Sequence, residues 1–437
     1  MAAAGSAVGL GNIWLFPYIT GLNGGGLFVL VYLACVILVG LPVMTAEILL
    51  GRTTQCSPVG AFKRLAGPRS PWVSVGWVGV ASSFLILSYY SVVAGWALHY
   101  TWLSLTGALF DRGPDETQRL FDGLLASSGL NLFWHTLFMG LTVAVVMGGV
   151  AKGLERWARI LMPALFVMMG VLLARALFLN GFGEGASFVL GFHSEQFRPE
   201  SALAALGQAF FSLSLGMGSI LTYGSYLRED DDIMSSSIII SGLDTGIAML
   251  AALVIFPIVF TYNIPPGSGP GLIFVSIPVA LGQMPGGGFF SAVLFFLLVF
   301  AALTSAVSML EVATSYFIDE RGWERRRATL VSGAVILLIG VPSALSGATA
   351  LFGGGFAGVF GQNWFDTAAY LANNWMLPLS GLGIAAYTGW RMNDALRHHH
   401  FLSGSKLAIF YRAWLLLLRF LVPVAILFVF LNAIGVI

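Results

Sequence analysis

A hydrocarbon layer about 30 Å thick is crossed by roughly 20 helical residues, and this chain is built almost entirely of apolar runs of that length. Eleven are counted, at residues 1–21, 26–51, 73–107, 131–151, 156–182, 203–228, 233–262, 287–318, 328–346, 367–391 and 408–436. Backbone amides and carbonyls find no water in lipid, so such segments must be helices, whose hydrogen bonds close internally. Composition agrees: 57% of the 437 residues are apolar and 9% charged, too few charges for an ordinary water-solvated domain. With a formal net charge of +1 and its Lys and Arg spread over short loops, the chain has no basic face for nucleic acid. The lipid bilayer is the expected surrounding; the sequence does not specify an oligomeric state. Cys35 and Cys56 match neither a metal-ligand spacing nor a disulfide framework. A cleavable leader begins with basic residues, whereas this chain opens Met-Ala-Ala-Ala-Gly, so the first span is expected to remain.

Basic residues orient the spans. Arg52, Lys63, Arg64 and Arg69 follow span 2; Lys152 and Arg156 follow span 4; Arg321, Arg325, Arg326 and Arg327 follow span 8; Arg391, Arg397 and Lys406 follow span 10. Those loops are expected in the cytoplasm. The opposite loops, 111–122 and 184–200, are poorer in basic residues. The N-terminus is therefore expected inside and the C-terminus outside, in a plasma membrane or bacterial inner membrane. The acidic run Arg228-Glu-Asp-Asp-Asp232 falls inside, tolerable because acidic residues weigh little in this rule.

Glycine interrupts two spans where a simple anchor would be continuous: Gly9-Leu-Gly-Asn12 in span 1 and Ser214-Leu-Gly-Met-Gly218 in span 6. Close packing through small residues is the plain explanation for one such cluster. Two of them five spans apart fit an inverted repeat, each half opening with a broken helix and the ligand held between the breaks. The predicted division is 1–182 for spans 1–5, 203–397 for spans 6–10, and 408–437 for span 11.

The stretch Gly5-Ser-Ala-Val-Gly-Leu-Gly-Asn-Ile-Trp-Leu-Phe-Pro17, followed by Asn23-Gly-Gly-Gly-Leu-Phe28, strongly resembles the opening of the neurotransmitter:sodium symporter family, which includes the bacterial leucine transporter. Gly40-Leu-Pro-Val-Met-Thr-Ala-Glu47 with Gly51-Arg52, Lys152-Gly-Leu-Glu-Arg156, Gln208-Ala-Phe-Phe-Ser-Leu-Ser-Leu-Gly216 and Ala302-Leu-Thr-Ser305 extend the resemblance over nearly the whole chain. It implies an all-α membrane protein with the leucine-transporter fold, discontinuous first and sixth helices, and sodium-driven import of an amino acid.

Sodium needs several hard oxygen ligands, and an unwound helix frees carbonyls to supply them. By resemblance, one sodium ion takes the Ala7 carbonyl, the Asn12 side chain, Ser212, Asp244 and the substrate carboxylate. A second takes the Gly5, Val8 and Ala301 carbonyls with the Thr304 and Ser305 hydroxyls. The spacing lends independent support, because Ala301, Thr304, Ser305 and Met309 share one helical face; the alternative for the two hydroxyls is ordinary back-bonding within a membrane helix. A carboxylate inside a span is costly and normally faces a cation, a partner or a proton path, so Asp244 is read as a sodium ligand; its rivals are a protonatable coupling group and a residue displaced from the site by a one-residue shift. Many relatives carry asparagine there and animal members often bind chloride nearby, so a fixed aspartate implies that chloride is not required.

For the substrate, the resemblance implies that the backbone amides of Leu10 and Gly11 and the Tyr90 hydroxyl receive the carboxylate. The Ala7, Phe211 and Ser212 carbonyls with the Ser214 hydroxyl would receive the ammonium group. Ile86, Met217, Ser305 and Met309 would line the side-chain pocket, two flexible thioethers making it adaptable. Monoamine carriers place aspartate at the position of Gly9, so glycine implies a ligand that brings its own carboxylate. A neutral, hydrophobic α-amino acid is expected.

Both members of the family's outer gate are missing, since its arginine matches Leu15 and its acidic partner matches Ala369, with Asp366 one turn earlier as the alternative. Losing both leaves no unpaired charge, and closure is expected to fall to Phe211, Tyr90 and apolar contacts. Asp319 matches an inner-gate acid whose arginine lies ahead of the first span; either the natural chain begins earlier or the protein leans inward-open. Glu47 is expected to satisfy buried donors, Glu155 and Arg156 to be structural, and His398-His-His400 to be a cytoplasmic loop, since three consecutive histidines cannot face one ion on a helix. No nucleophile, base and orienting group occur together and no zinc or phosphate motif is present, so no enzyme is expected. The rival to a transporter is a transporter-like sensor that binds an amino acid without moving it.

Overall fold

A computed structural model describes residues 5, 7–110, 112–192, 197–264 and 271–436, with the side chains of 151 and 152 set aside. Asp111 of the expected acidic loop and the Lys152 side chain lie outside the described residues. The chain is 81% helical, with no strand among the described residues.

Among the described residues, eight helices are long and apolar enough to cross a membrane. They are α2 (Gly26–Thr54), α3 (Val73–Leu105), α4 (Ser128–Met147), α5 (Gly153–Ala176), α7 (Ile233–Thr261), α8 (Gly287–Arg321), α9 (Arg325–Ala344) and α11 (Ala408–Ala433). The expected spans 1, 6 and 10 fall short of that measure for local reasons. α1 runs as a π-helix over Gly11–Leu15 and an α-helix over Phe16–Leu22. α6 is two pieces, Pro199–Ser212 and Ser219–Gly224. α10 runs from Trp364 to Arg391 through two π-helical stretches, Leu371–Met376 and Tyr387–Arg391. Its middle carries Asn373 and Asn374, which lower its hydropathy.

Most long helices mark one buried stripe and one lipid-facing stripe. The best window of α8 is 83% buried and that of α3 78%, whereas that of α11 is 22% buried. α3 and α8 therefore form the centre of the bundle and α11 its rim.

The segments that follow α2, α4, α6, α8 and α10 meet at one end of the bundle. Arg52 donates to the carbonyls of Asp231, His400 and Ser403. Lys63 pairs with Glu320, Asp319 Oδ2 accepts from the Ser57 amide at 2.6 Å, and Arg325 reaches the Val146 carbonyl at 3.3 Å. The acidic run 229–232 thus lies at the same end as the arginines and gives Arg52 its acceptor. Asp319 is engaged at the N-terminus of the short helix Pro58–Ala66. His398 to His400 lie on another short helix, Asp394–Leu402, where a loop was expected; Asn393 caps its first turn through Leu396 at 3.0 Å.

Candidate functional site

The two breaks differ in cause. In α6 the winding stops after Ser212 and resumes at Ser219, with Ser214, Gly216 and Gly218 all in the left-handed region at φ 57°, 79° and 79°. A side chain at Gly216 would bring its Cβ within 2.6 Å of the Leu377 carbonyl, so glycine is required there on both counts. Neighbouring helices hold the opened strand: Glu47 Oε1 accepts from the Gly216 amide at 2.7 Å, and Ser83 Oγ donates to the Met217 carbonyl at 2.6 Å. Glu47 is fully buried and serves as the acceptor expected of it; Ser83 gave no signal in the sequence.

In α1 the interruption is narrower than Gly9–Asn12. Val8 and Gly9 are non-helical, and Leu10 already has helical angles of −58° and −27°. Asn12 tightens the break by folding back, its Oδ1 accepting from the Gly9 amide at 2.8 Å. The turn from Gly11 to Leu15 is then π-wound, a deformation that concentrates at functional sites. Gly9 is sterically enforced as well: a Cβ there would lie 2.4 Å from Ser305 Oγ and 3.1 Å from Tyr90 Oη.

Between the breaks lies a small cavity lined by Ala7, Gly9, Gly11, Asn12, Ile86, Tyr90, Phe211, Ser212, Ser214, Met217, Ser305 and Met309. Every expected substrate residue is on this wall except Leu10. Leu10 contributes its backbone instead, donating its amide to Tyr90 Oη at 3.2 Å. The lining mixes two kinds of group: backbone of the two breaks with the hydroxyl side chains Tyr90, Ser212 and Ser214, and the apolar side chains Ile86, Met217 and Met309.

Two oxygen clusters adjoin the cavity. At the first, Asn12 Nδ2 lies 2.6 Å from Asp244 Oδ1, 3.0 Å from the Asp244 carbonyl and 3.0 Å from Ser212 Oγ, and Ser212 donates to Asp244 Oδ2 at 2.9 Å. Asp244 is completely buried. The Asn12 amide offers two hydrogens to three oxygens, and it is the nitrogen that faces the carboxylate. A half-turn of the amide would present Oδ1 instead.

At the second cluster, Thr304 Oγ1 lies within 3.2 Å of three carbonyls, those of Val8, Phe300 and Ala301. Ser305 Oγ lies 3.1 Å from the same Val8 carbonyl. Thr304 therefore makes the back-bonds of an ordinary membrane-helix hydroxyl and also reaches across to the broken helix. Two hydroxyls supply two protons against a surplus of oxygen lone pairs, the electrostatic condition that favours a small cation. Gly5 abuts the cluster, its Cβ position 3.7 Å from Thr304 Cβ. A narrow gap lined by Trp157 and Tyr223 reaches Gly5 and Thr304.

Next to the central cavity is a larger vestibule, lined by Leu15, Asn23, Gln208, Phe211, Asn373 and Asn374 among others. Phe211 lines both spaces and forms the partition between them. Asn373 shares this wall with Leu15; Ala369 is not on it. Asp366 is exposed and bound to Asn363 at 2.7 Å, away from the vestibule, so neither sequence candidate for the acidic gate partner sits in it. At the opposite end the structure adds an unanticipated network. Glu311, fully buried, takes both guanidinium nitrogens of Arg325 at 2.7 Å and the Tyr226 hydroxyl at 2.5 Å.

Broken helices around a small polar cavity, flanked by two oxygen clusters, define a secondary transporter of the discontinuous-helix kind. The sequence model described as the Sodium:neurotransmitter symporter family matches residues 1–112 and 119–437, and the chain belongs to that family of sodium-dependent transporters. It is 40% identical over 439 residues to the uncharacterized sodium-dependent transporter YhdH of Bacillus subtilis (strain 168), covering 100% of this chain and 96% of the relative. A Haemophilus influenzae sodium-dependent transporter is 31% identical, over 99% of this chain and 95% of its own. The crystal structure of MhsT in complex with L-phenylalanine superposes with a TM-score of 0.91 at 42% identity, covering 99% of this chain and 97% of that one. The leucine-transporter fold is therefore established, and the chain is a multi-pass membrane protein.

Proposed function

We propose that the chain imports a neutral, hydrophobic α-amino acid by alternating access, each cycle driven by sodium at two sites and needing no chloride. The observation that carries this reading is the mixed lining of the central cavity. Its opened backbones and hydroxyls suit the two charges of a zwitterion; Ile86, Met217 and Met309 suit an aliphatic or aromatic side chain. The phenylalanine in the MhsT structure supports the same class of ligand. Gly9 supports it from the other direction, since the space an aspartate would need is occupied by Ser305 and Tyr90.

In this reading one sodium ion takes Ala7, Asn12, Ser212, Asp244 and the substrate carboxylate, the Asn12 amide turning its oxygen inward. The other takes Gly5, Val8, Ala301, Thr304 and Ser305. The buried charge of Asp244 supplies the negative counterweight that chloride gives elsewhere. Residues 1–182 and 203–397 act as the two inverted repeats and 408–437 as an added helix, giving eleven crossings with the N-terminus in the cytoplasm. The contacts among the segments following α2, α4, α6, α8 and α10 favour that alternation.

Uptake of radiolabelled neutral amino acids into proteoliposomes is the test, with an inward sodium gradient compared against potassium or choline. Gradient-driven accumulation in sodium gluconate as well as sodium chloride is expected. Saturable binding with no accumulation would replace the transporter by an amino-acid sensor, a reading favoured by the missing ion pair at the vestibule.

A further inference from the structure

α9 is 20 residues long, which at about 1.5 Å per residue spans about 30 Å, the thickness of the hydrocarbon layer. The chain that follows it therefore begins where the hydrocarbon ends, at the end of the bundle opposite the arginine-bearing segments. Between Arg327 and Asp366 there is no Asp, Glu, Lys, Arg or His, so the charge-free character of the span continues through the whole connection to α10.

That connection is a closed loop with a projecting tip. Its base is sealed by the Trp364 amide, which donates to the Phe352 carbonyl at 2.9 Å, and by the Phe365 amide, which donates to Ser346 Oγ at 3.1 Å. Gly347 presses the base against the helix Pro114–Ala126, where a Cβ would come within 2.6 Å of the Leu125 carbonyl. The tip is the short helix Gly354–Phe360, none of whose residues is buried. Leu351, Val359 and Phe360 are 71%, 76% and 66% exposed. Phe356 stacks on Phe360 with ring centres 4.4 Å apart and meets Trp364 edge-on at 5.5 Å, so aromatic rings run from tip to base.

The adjacent helix Pro114–Ala126 has the opposite pattern, that of a segment facing water. It buries Phe121 and Leu124 and leaves Asp115, Glu116, Arg119 and Asp122 exposed. On α9, by contrast, Val331, Val335 and Leu338 are exposed and share one helical face, a lipid-facing stripe that climbs toward the loop. We propose that residues 350–361 rest in the headgroup layer of the bilayer, with Leu351, Val359 and Phe360 inserted among the lipid chains and Trp364 at the boundary. Aromatic rings are favoured at that depth. The loop has no basic residue, so insertion draws on apolar area alone and needs no anionic lipid. Through Trp364 the tip is tied to the first turn of α10, whose Asn373 and Asn374 line the vestibule. The bilayer surface thereby bears on the vestibule wall; that consequence rests on the function proposed above, whereas the insertion does not.

The test uses the full chain in phosphatidylcholine nanodiscs, in a Cys35→Ser/Cys56→Ser background, with a bimane label on Val359→Cys or, for comparison, on Gln118→Cys of the water-facing helix. Leu351→Cys is the second loop site should Val359→Cys not fold, and an unchanged melting temperature marks each labelled chain as native. Aqueous iodide is expected to quench the loop site at least about fivefold less than the Gln118 site, and a lipid with a nitroxide near the top of its acyl chain to quench the loop site more. Added phosphatidylglycerol should leave that pattern unchanged. Iodide quenching of the two sites within about twofold would put the tip in water and overturn the proposal. Shielding of the loop site from iodide and nitroxide alike would overturn it in favour of a protein cover, a second copy of this chain. No substrate enters the measurement, so failure of amino-acid uptake leaves the insertion standing, and failure of the insertion leaves the proposed transport standing.

Discussion

Replacing Asp244 by asparagine removes one unit of charge from the first oxygen cluster while leaving an oxygen ligand in nearly the same place. A cation seated where Asn12 Nδ2 now lies would be about as close to Oδ1 as that nitrogen is, 2.6 Å. Two unit charges even 4 Å apart attract by about 4 kcal/mol at an effective dielectric constant near 20. Part of that is offset by the cost of keeping an ionised carboxylate away from water. Taking half as the net charge contribution, about 2 kcal/mol, Asp244→Asn should weaken sodium binding roughly thirtyfold at 1.4 kcal/mol per decade. The lost charge should also create a need the wild type lacks, so chloride should recover part of the affinity. The assay is sodium titration of radiolabelled substrate binding to purified protein, run in chloride and in gluconate, with Asp244→Ser as a second variant. Sodium affinity within twofold of wild type and no response to chloride would remove Asp244 from the cation site.

Gly9→Ala should weaken substrate binding about ten- to a hundredfold, because its Cβ would sit 2.4 Å from Ser305 Oγ and overpacking costs about 1–3 kcal/mol; an unchanged dissociation constant in equilibrium binding refutes the tight approach. Thr304→Val keeps side-chain shape but removes an oxygen from the second cluster, so the sodium dependence of uptake should shift roughly tenfold to higher concentration and lose steepness. A sodium curve that overlays wild type would leave Thr304 as a packing residue. Glu311→Gln should lower the melting temperature in detergent, since breaking a buried pair costs about 3–5 kcal/mol, an upper bound here because the Arg325 side chain is 25% exposed. The double variant Glu311→Gln/Arg325→Gln should recover part of the loss, and no recovery would mean the two groups act separately.

The fold was legible because its strongest determinant is local. Continuous apolar runs gave α2 to α5, α7 to α9 and α11 to within a few residues, since lipid leaves the backbone no alternative to helix. The break in α6 was equally open to reading, because Gly216 and Gly218 adopt angles that glycine alone accepts readily. The break in α1 was misplaced by about two residues. Its boundary is set by a side chain, Asn12 capping the Gly9 amide, and not by backbone preference. The position matched to the acidic gate partner, Ala369, lies one helical turn before Asn373, which does line the vestibule. The π-helical stretch Leu371–Met376 adds a residue to the turn and upsets any fixed register. Ser83 was invisible, a serine like many others in α3 until the opened strand of α6 is laid against it. Glu311 was not. An acid in the middle of an apolar span is itself a signal, and its partner Arg325 is the first of three consecutive arginines that had been read only for orientation.

The arrangement of shared residues bears on how ion and substrate act together. Ser212 belongs to the wall of the central cavity and donates to Asp244; Ser305 belongs to the same wall and reaches the Val8 carbonyl. Val8 lies in the break in α1 and Asn12 caps it, so ordering either cluster fixes one shore of the cavity. Energetic coupling between two ligands is reciprocal. If the shared residues carry it, Ser212→Ala must weaken sodium when substrate is varied and weaken substrate when sodium is varied, by the same factor. Phe211, by contrast, touches cavity and vestibule but neither cluster, so Phe211→Ala should change how fast substrate enters and leaves while that factor stays constant. Exchange kinetics of bound substrate at two sodium concentrations separate the two effects. A change of the coupling factor in Phe211→Ala would mean that the partition and the ion sites move as one body.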